Sequence, residues 1–275
     1  MLISKFKSFF IRTPHKGKVE GQDPGLLYVN VAQRTDVGRK RLHNEDSVAH
    51  IVPTDPVMMV KKGALFIVAD GMGGHAAGEV ASEIAVNTVC NMYYQDPGDD
   101  VPSALVHAVT SANAIIYQRS AENQSQQGMG TTCVSAVFQG TTAYIANVGD
   151  SRAYLIRQGQ IRQVSQDHSW VAEQVQAGLM TPEQASMHAM RNMITRSLGF
   201  YPTVAVDIFT EQVTVDDILL LCSDGLSGMV SDNEILQIVQ QFGPQEGVYR
   251  LIERANEHGG IDNITVLIAQ ISRIQ

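Results

Sequence analysis

The 275-residue sequence is short of the features that mark several common protein classes. It has three cysteines, Cys90, Cys133 and Cys222, far apart and set in apolar stretches. An odd, scattered set makes no disulfide framework and points to buried, reduced thiols in a cytoplasmic protein. No apolar run approaches the roughly 18–20 residues that cross a bilayer. There is no low-complexity run, proline-rich spacer or repeat at solenoid spacing. The glycine-rich "DGMGGHAAG" lacks the Gly-Lys-[Ser/Thr] of a Walker phosphate loop. No Gly-x-Ser-x-Gly elbow of a serine hydrolase occurs. Basic residues are also scarce, 20 Lys and Arg against 28 Asp and Glu, and the net charge of −8 argues against a nucleic-acid surface.

What basic charge there is gathers at the N-terminus. "MLISKFKSFFIRTPHKGK" carries Lys5, Lys7, Arg12, Lys16 and Lys18 with no acidic residue before Glu20. Lysines interrupt its apolar part, so it is a poor signal-peptide core. Residues 1–25 are expected to form a flexible basic tail, with contact to an anionic membrane as the alternative. From residue 26 to 275 the composition, 44% hydrophobic and 17% charged, suits one folded domain.

Two stretches have helical period. Ala81, Ile84, Ala85, Thr88, Val89 and Met92 share one face, as do Leu105, Ala108, Val109, Ala112, Ile115 and Ile116. Between Thr131 and Val164 the texture changes to short β-rich runs, with Gln139-Gly140 and Gln158-Gly159 placed as hairpin turns. Consecutive strands joined by tight turns imply antiparallel sheet, and helices on either side of them imply an α+β fold.

What needs explanation is where the carboxylates fall. "ALFIVADGMGG" runs an apolar strand into Asp70, and "ILLLCSDGLSG" repeats the layout with Asp224. A carboxylate delivered by a buried strand is either in solvent or matched by a cation. "AYIANVGDSR" adds Asp150, "HGGIDNITVLIAQI" adds Asp262, and "RLHNEDS" adds Glu45 and Asp46. All are oxygen donors, with no Cys-x-x-Cys or His-x-x-x-His among them, which suits Mg²⁺ or Mn²⁺ and disfavours zinc. Gly71 and Gly225 leave room for a close carbonyl or ligand. Arg39 and Arg41 stand a few residues from this acidic pair, placed either to grip a phosphate beside metals or to form a surface ion pair. Asp150 likewise has a plain alternative, pairing with Arg152.

"RLHNEDS", "FIVADGMGGHAAGE", "GMGTT", "ANVGDSRAYLIR", "SQDHSW", "RNMITRSLG", "LLLCSDGL" and "GGIDNITV" occur in the order found in metal-dependent Ser/Thr protein phosphatases of the PP2C (PPM) family. The chain resembles the compact bacterial type over about residues 29–271. The resemblance implies a four-layer αββα sandwich, two antiparallel sheets flanked by helices, with a flap at about residues 165–199. It implies two or three Mn²⁺ or Mg²⁺ ions, with Asp70 bridging two of them and Gly71 offering its carbonyl. Asp224 and Asp262 resemble ligands of the first ion, Glu45 of the second, and Asp150 with Asp224 of a third. Asp46 resembles the residue that orients the attacking water, and Arg41 the one that grips phosphate. Where many relatives read Asp-Gly-His, this chain has Met72, which leaves His75, a metal-bound water or, less favourably, His43 as the acid for the leaving oxygen. Bacterial relatives often carry His-Pro in the flap, where this chain has His188-Ala189.

The implied activity is hydrolysis of phosphoserine and phosphothreonine on proteins, opposing a Ser/Thr kinase. The expected partners are phosphoproteins, the kinase or its targets among them, acted on by a monomer. Two other readings share the fold: a non-catalytic phosphopeptide-binding module, which retention of Asp70, Asp224 and Asp262 disfavours, and a phosphatase of small phosphate esters.

Overall fold

A computed structural model of the chain describes residues 27–73 and 77–274. The expected basic tail, residues 1–25, and His75 lie outside the described residues. Two antiparallel sheets form the centre. One runs β1 (Leu27–Asp36), β11 (Ile264–Ile274), β10 (Ile218–Cys222), β7 (Arg152–Arg157) and β8 (Gln160–Gln163). The other runs β2 (Asp46–Ile51), β3 (Ala64–Met72), β5 (Cys133–Gln139), β6 (Thr142–Val148) and β9 (Asp207–Gln212), with β4 (Gly130–Thr131) paired antiparallel to the end of β3.

Period-2 alternation explains how the strands bury both faces. In β3, Phe66 and Val68 point between the sheets, where they meet Leu219 and Leu221 of β10 and Leu267 and Ala269 of β11. Leu65, Ile67 and Ala69 point outward, under α2 (Ala77–Gln95) and α3 (Val101–Glu122). Across the molecule, Ile218, Leu220, Val266 and Ile268 face α6 (Asp224–Ser227) and α7 (Asp232–Glu257). Helices therefore cover both outer faces, giving the four layers expected. Shorter helices complete the fold: α1 (Pro56–Lys62), α4 (Trp170–Gln176) and α5 (Pro182–Ser186). None among the described residues is long and apolar enough to cross a membrane.

Local signals behave mostly as expected. The β7–β8 turn uses Gln158 (φ 49°) and Gly159 (φ 80°), the two left-handed residues that match the twist of a tight hairpin. α7 starts with a capping box between Ser231 and Glu234 and kinks at Gly243, where Pro244 removes a donor. Two details differ from expectation. Ile115 is 45% exposed although the period put it on the core face; Ala112 and Ile116 fill that face without it. Cys90 is only partly buried, whereas Cys133 and Cys222 are fully so.

Leu267 is fully buried between the sheets. Leu267→Ala is expected to cost about 2–5 kcal/mol through lost transfer energy and the cavity left behind. Urea unfolding monitored by circular dichroism measures it, and a loss under about 1 kcal/mol would contradict the packing described.

Candidate metal centre

The strand phase that packs the core also aims the acids. Two residues beyond Val68 on the same face comes Asp70, which pairs in register with Asp46 of β2. Directly opposed like charges destabilise a sheet, so this pair is neutralised by protons or by cations. From the other sheet, Ser223 continues the inward phase of Leu219 and Leu221, and Thr265 that of Leu267. Both hydroxyls donate to Asp46 Oδ2 at 2.7 Å, bridging the sheets at their open end. Asp224 opens α6 directly after Ser223, and Asp150 sits in the turn between β6 and β7.

Asp46 and Asp150 are buried; Asp70 and Asp224 keep some surface open to the cleft yet lie deep among protein atoms. Burial is the largest influence on each and favours the protonated form. Asp70 also feels Asp46, Asp224, Asp150 and Asp262, and is held well above the ordinary carboxylate range. Burial raises Asp46 to about 7, against the hydrogen bonds from Thr265 and Ser223 that favour its charge. Asp150 is raised to about 8 by burial and then by Asp224. Asp224 is raised by burial and then by Asp262, while Asp70, Arg41 and Arg152 act in the opposite direction.

Glu45 reaches the site from the loop before β2. Its N–H donates to Asn263 Oδ1 (2.9 Å), and its carbonyl accepts from Gly71 N–H (3.1 Å) and Ser82 Oγ (2.6 Å). Gly71 has no room for a Cβ, which would lie 2.2 Å from the carbonyl oxygen of Gly78 and 2.5 Å from that of Glu45. At Gly225 a Cβ would lie 1.9 Å from the carbonyl oxygen of Asn263. Both glycines thus serve close backbone approach, as their positions suggested.

Arg41 Nη2 donates to Asp262 Oδ2 at 2.8 Å, so the ion-pair alternative holds for this residue as it stands. Arg152 is not the partner of Asp150. It forks onto Asp167 instead, with Nη2 2.7 Å and Nε 3.0 Å from Oδ2. His43 contributes its carbonyl, which accepts from Asn263 Nδ2. The His188 ring lies against Trp170, with centroids 5.0 Å apart. Sequence reasoning missed Asn263: buried, it also donates to the Val37 carbonyl and so ties the loops before β2 to the start of β11. It missed Ser223 and Thr265 as well, although the inward phase of their strands could have revealed them.

The fit to divalent cations rests on the donors themselves. Asp46 Oδ1, Asp150 Oδ1 and Asp224 Oδ1 are buried without a hydrogen-bond partner. Such atoms need a counter-charge, and an all-oxygen set suits hard cations. Among the described residues, however, no three acidic, His or Cys side chains already close on one point as bound ligands do. Asp262 is drawn to Arg41, so a cation bound there has to displace that partner. Beside the acids opens a cavity of about 620 Å³, lined by Asp150, Asp224 and Asp262 on one side and by Val171, Ala185 and Arg191 on the other.

The sequence profile of the protein phosphatase 2C family matches residues 39–264. The chain is 38% identical over 245 residues to the serine/threonine protein phosphatase PstP of Mycobacterium tuberculosis, covering 89% of this chain and 45% of that protein. The chain thus spans about half the length of that relative. It is also 38% identical over 249 residues to the serine/threonine phosphatase stp of Listeria innocua, covering 88% and 96% of the two chains. A solved structure of the catalytic domain of PstP in complex with two manganese ions superposes with a TM-score of 0.79 at 37% identity, over 90% of this chain and 100% of that one.

Raised carboxyl pKa values have a fixed consequence for stability. The unfolded chain ionises near pH 4, while Asp46 and Asp150 in the fold keep their protons to about 7 and 8, so stability falls as pH rises through that interval. The acids held below their usual range, Asp96, Asp100, Glu183, Asp207 and Glu234, are already ionised in both states above about pH 5. His50, lowered by burial, acts in the opposite direction to Asp46 and Asp150. The cation-free protein is therefore expected to melt at lower temperature at about pH 8 than at about pH 5. Asp150→Asn should shrink that difference and Mn²⁺ should remove most of it. Calorimetry checks this, and a melting temperature independent of pH would contradict it.

Proposed function

Since the chain belongs to the protein phosphatase 2C family, we propose that it hydrolyses phosphoserine and phosphothreonine on proteins at a centre of two or three Mn²⁺ or Mg²⁺ ions. The observation that carries this reading is the set of orphaned carboxylate oxygens on Asp46, Asp150 and Asp224, gathered around Asp70 at the open end of the sandwich. Glu45, Asp70, the Gly71 carbonyl, Asp224 and Asp262 would hold two cations, and Asp150 with Asp224 would hold a third. When bound, such ions lower the pKa of water and neutralise phosphate charge.

The chain's own residues do the rest. Asp46 Oδ2 is committed to Ser223 and Thr265, which leaves Oδ1 to orient the attacking water and take its proton. Arg41 is about half exposed, with 49% of its side chain open. Its guanidinium exchanges Asp262 for the substrate phosphate, whose oxygens match the planar fork. The water attacks phosphorus in line with the departing serine or threonine oxygen, which takes up a proton from His75 or from water as the P–O bond breaks. No phosphocysteine forms. Burial raises Cys90, Cys133 and Cys222 to about 12, leaving no thiolate for attack.

The substrates are phosphoproteins, including a Ser/Thr kinase or its targets, met in the cytoplasm by a monomer. The cavity between the acids and the segment of residues 165–199 has room for the chain on one side of the phosphorylated residue.

Phosphate release from a phosphothreonine peptide with Mn²⁺ is the direct test. Asp224→Asn is expected to lower kcat by two orders of magnitude or more, on the scale of removing a charge-stabilising group from an active site (about 10²–10³). Arg41→Ala should act chiefly through KM, and the wild type should prefer the peptide to a small phosphate ester. Equal rates for wild type and Asp224→Asn would overturn the proposal.

A further inference from the structure

Asp150 has little of its own to hold it in place. Its Oδ1 is buried and unpartnered, and Arg152, two residues on, is taken by Asp167. Its position comes from Gly149. That residue has φ +108°, and a Cβ there would lie 2.6 Å from the Thr132 side chain, so its backbone is pressed against Thr132. Thr132 Oγ1 in turn accepts the N–H of Asp70. On its other side Gly149 is gripped twice by one residue, His168. The His168 N–H donates to the Gly149 carbonyl at 3.0 Å, and the Gly149 N–H donates to His168 Nδ1 at 3.0 Å.

The second of these bonds sets the state of the ring. A backbone N–H only donates, so Nδ1 is the bare acceptor and the proton sits on Nε2. Nε2 donates to Asp207 Oδ2 at 2.9 Å. Asp207 Oδ1 accepts from Arg196 Nη1 at 2.7 Å, and the His168 carbonyl accepts from the Thr195 N–H at 2.9 Å. His168 is 5% exposed, so this geometry is enforced by its surroundings. A continuous chain of hydrogen bonds therefore runs from Arg196 through Asp207, His168 and Gly149 to the backbone that presents Asp150. Arg196 and His168 lie at opposite ends of the 165–199 segment that walls the cavity.

We infer that His168 is a positioning residue: it fixes Gly149 so that Asp150 meets a divalent cation, and it links that placement to the stem of the 165–199 segment. The inference rests on the reading that Asp150 helps to hold one of the cations.

Mn²⁺ binding to the full chain, followed by isothermal titration calorimetry, separates this role from simple packing. Asp150→Asn first identifies the binding step that depends on Asp150. His168→Asn places an amide oxygen near the position of Nδ1 and keeps the bond from Gly149, while losing Asp207. His168→Gln places its amide near Nε2 and keeps Asp207, while losing Gly149. Both variants stay polar, close in size to histidine, and lose one bond, so a packing role alone predicts equal effects. Groups that orient a metal ligand typically contribute about 10–100-fold to affinity, so His168→Gln should weaken the Asp150-dependent step about tenfold and His168→Asn less than about threefold, with the other steps unchanged in both. Wild-type binding by His168→Gln, equal losses in the two variants, or a uniform loss at every step would overturn the inference. A wild type that takes up no Mn²⁺ would overturn the cation reading itself, and this inference with it.

Discussion

The structure depends on carboxylates standing where a two-sheet core would otherwise be apolar. Phe66, Val68, Leu219, Leu221, Leu267 and Ala269 fill the space between the sheets, and at the open end Asp46, Asp70, Ser223 and Thr265 continue the same inward rows. Taking a charged carboxylate out of water costs several kcal/mol even after the protein relaxes, and crowding several together adds repulsion. The fold answers with two hydroxyl donors on Asp46 and with Arg41 on Asp262. None of these supplies enough positive charge for the whole cluster. Divalent cations would, and in the proposed reading the electrostatic penalty that burdens the cation-free cluster is the source of its affinity for them.

The parts of the site differ in how firmly they are held. Asp46, Asp70 and Asp224 sit on or at the ends of strands packed on both faces, so core packing sets their geometry before any ligand arrives. Glu45 depends on a looser arrangement, a loop joined to the start of β11 by Asn263 and to α2 by Ser82. Arg41 stands at the outer edge, half exposed on a long side chain. In the proposed reading this gradient suits a hydrolase, with rigid acids for the ions and water and a half-exposed Arg41 for the phosphate.

Much of this was legible in the residues. The helical faces of α2 and α3, the hairpin turns and the acids at strand ends follow from local period and from turn residues, which the sequence displays directly. The layered architecture and the role of each acid came from resemblance. What could not be read depends on side chains from distant segments meeting. Asn263 looked like a neighbour of Asp262, and only the pairing of β1 with β11 brings it under Glu45. Arg152 has Asp150 two positions away, but in β7 both turn residues and strand phase send its guanidinium to Asp167. His168 drew no attention because its partners, Gly149 and Asp207, are joined only through the pairing of β6 with β9. Ile115 misled because a helix of this length offers more apolar positions than its buried face takes up.

The central claim is that these acids converge on shared divalent ions. X-ray diffraction from crystals soaked in Mn²⁺, with anomalous data at the manganese edge, tests it most directly. The account predicts at least two anomalous peaks, one of them bonded to both Asp70 and Asp224, with Arg41 turned away from Asp262. Peaks confined to the protein surface, or Asp262 still paired with Arg41 in saturating Mn²⁺, would contradict it.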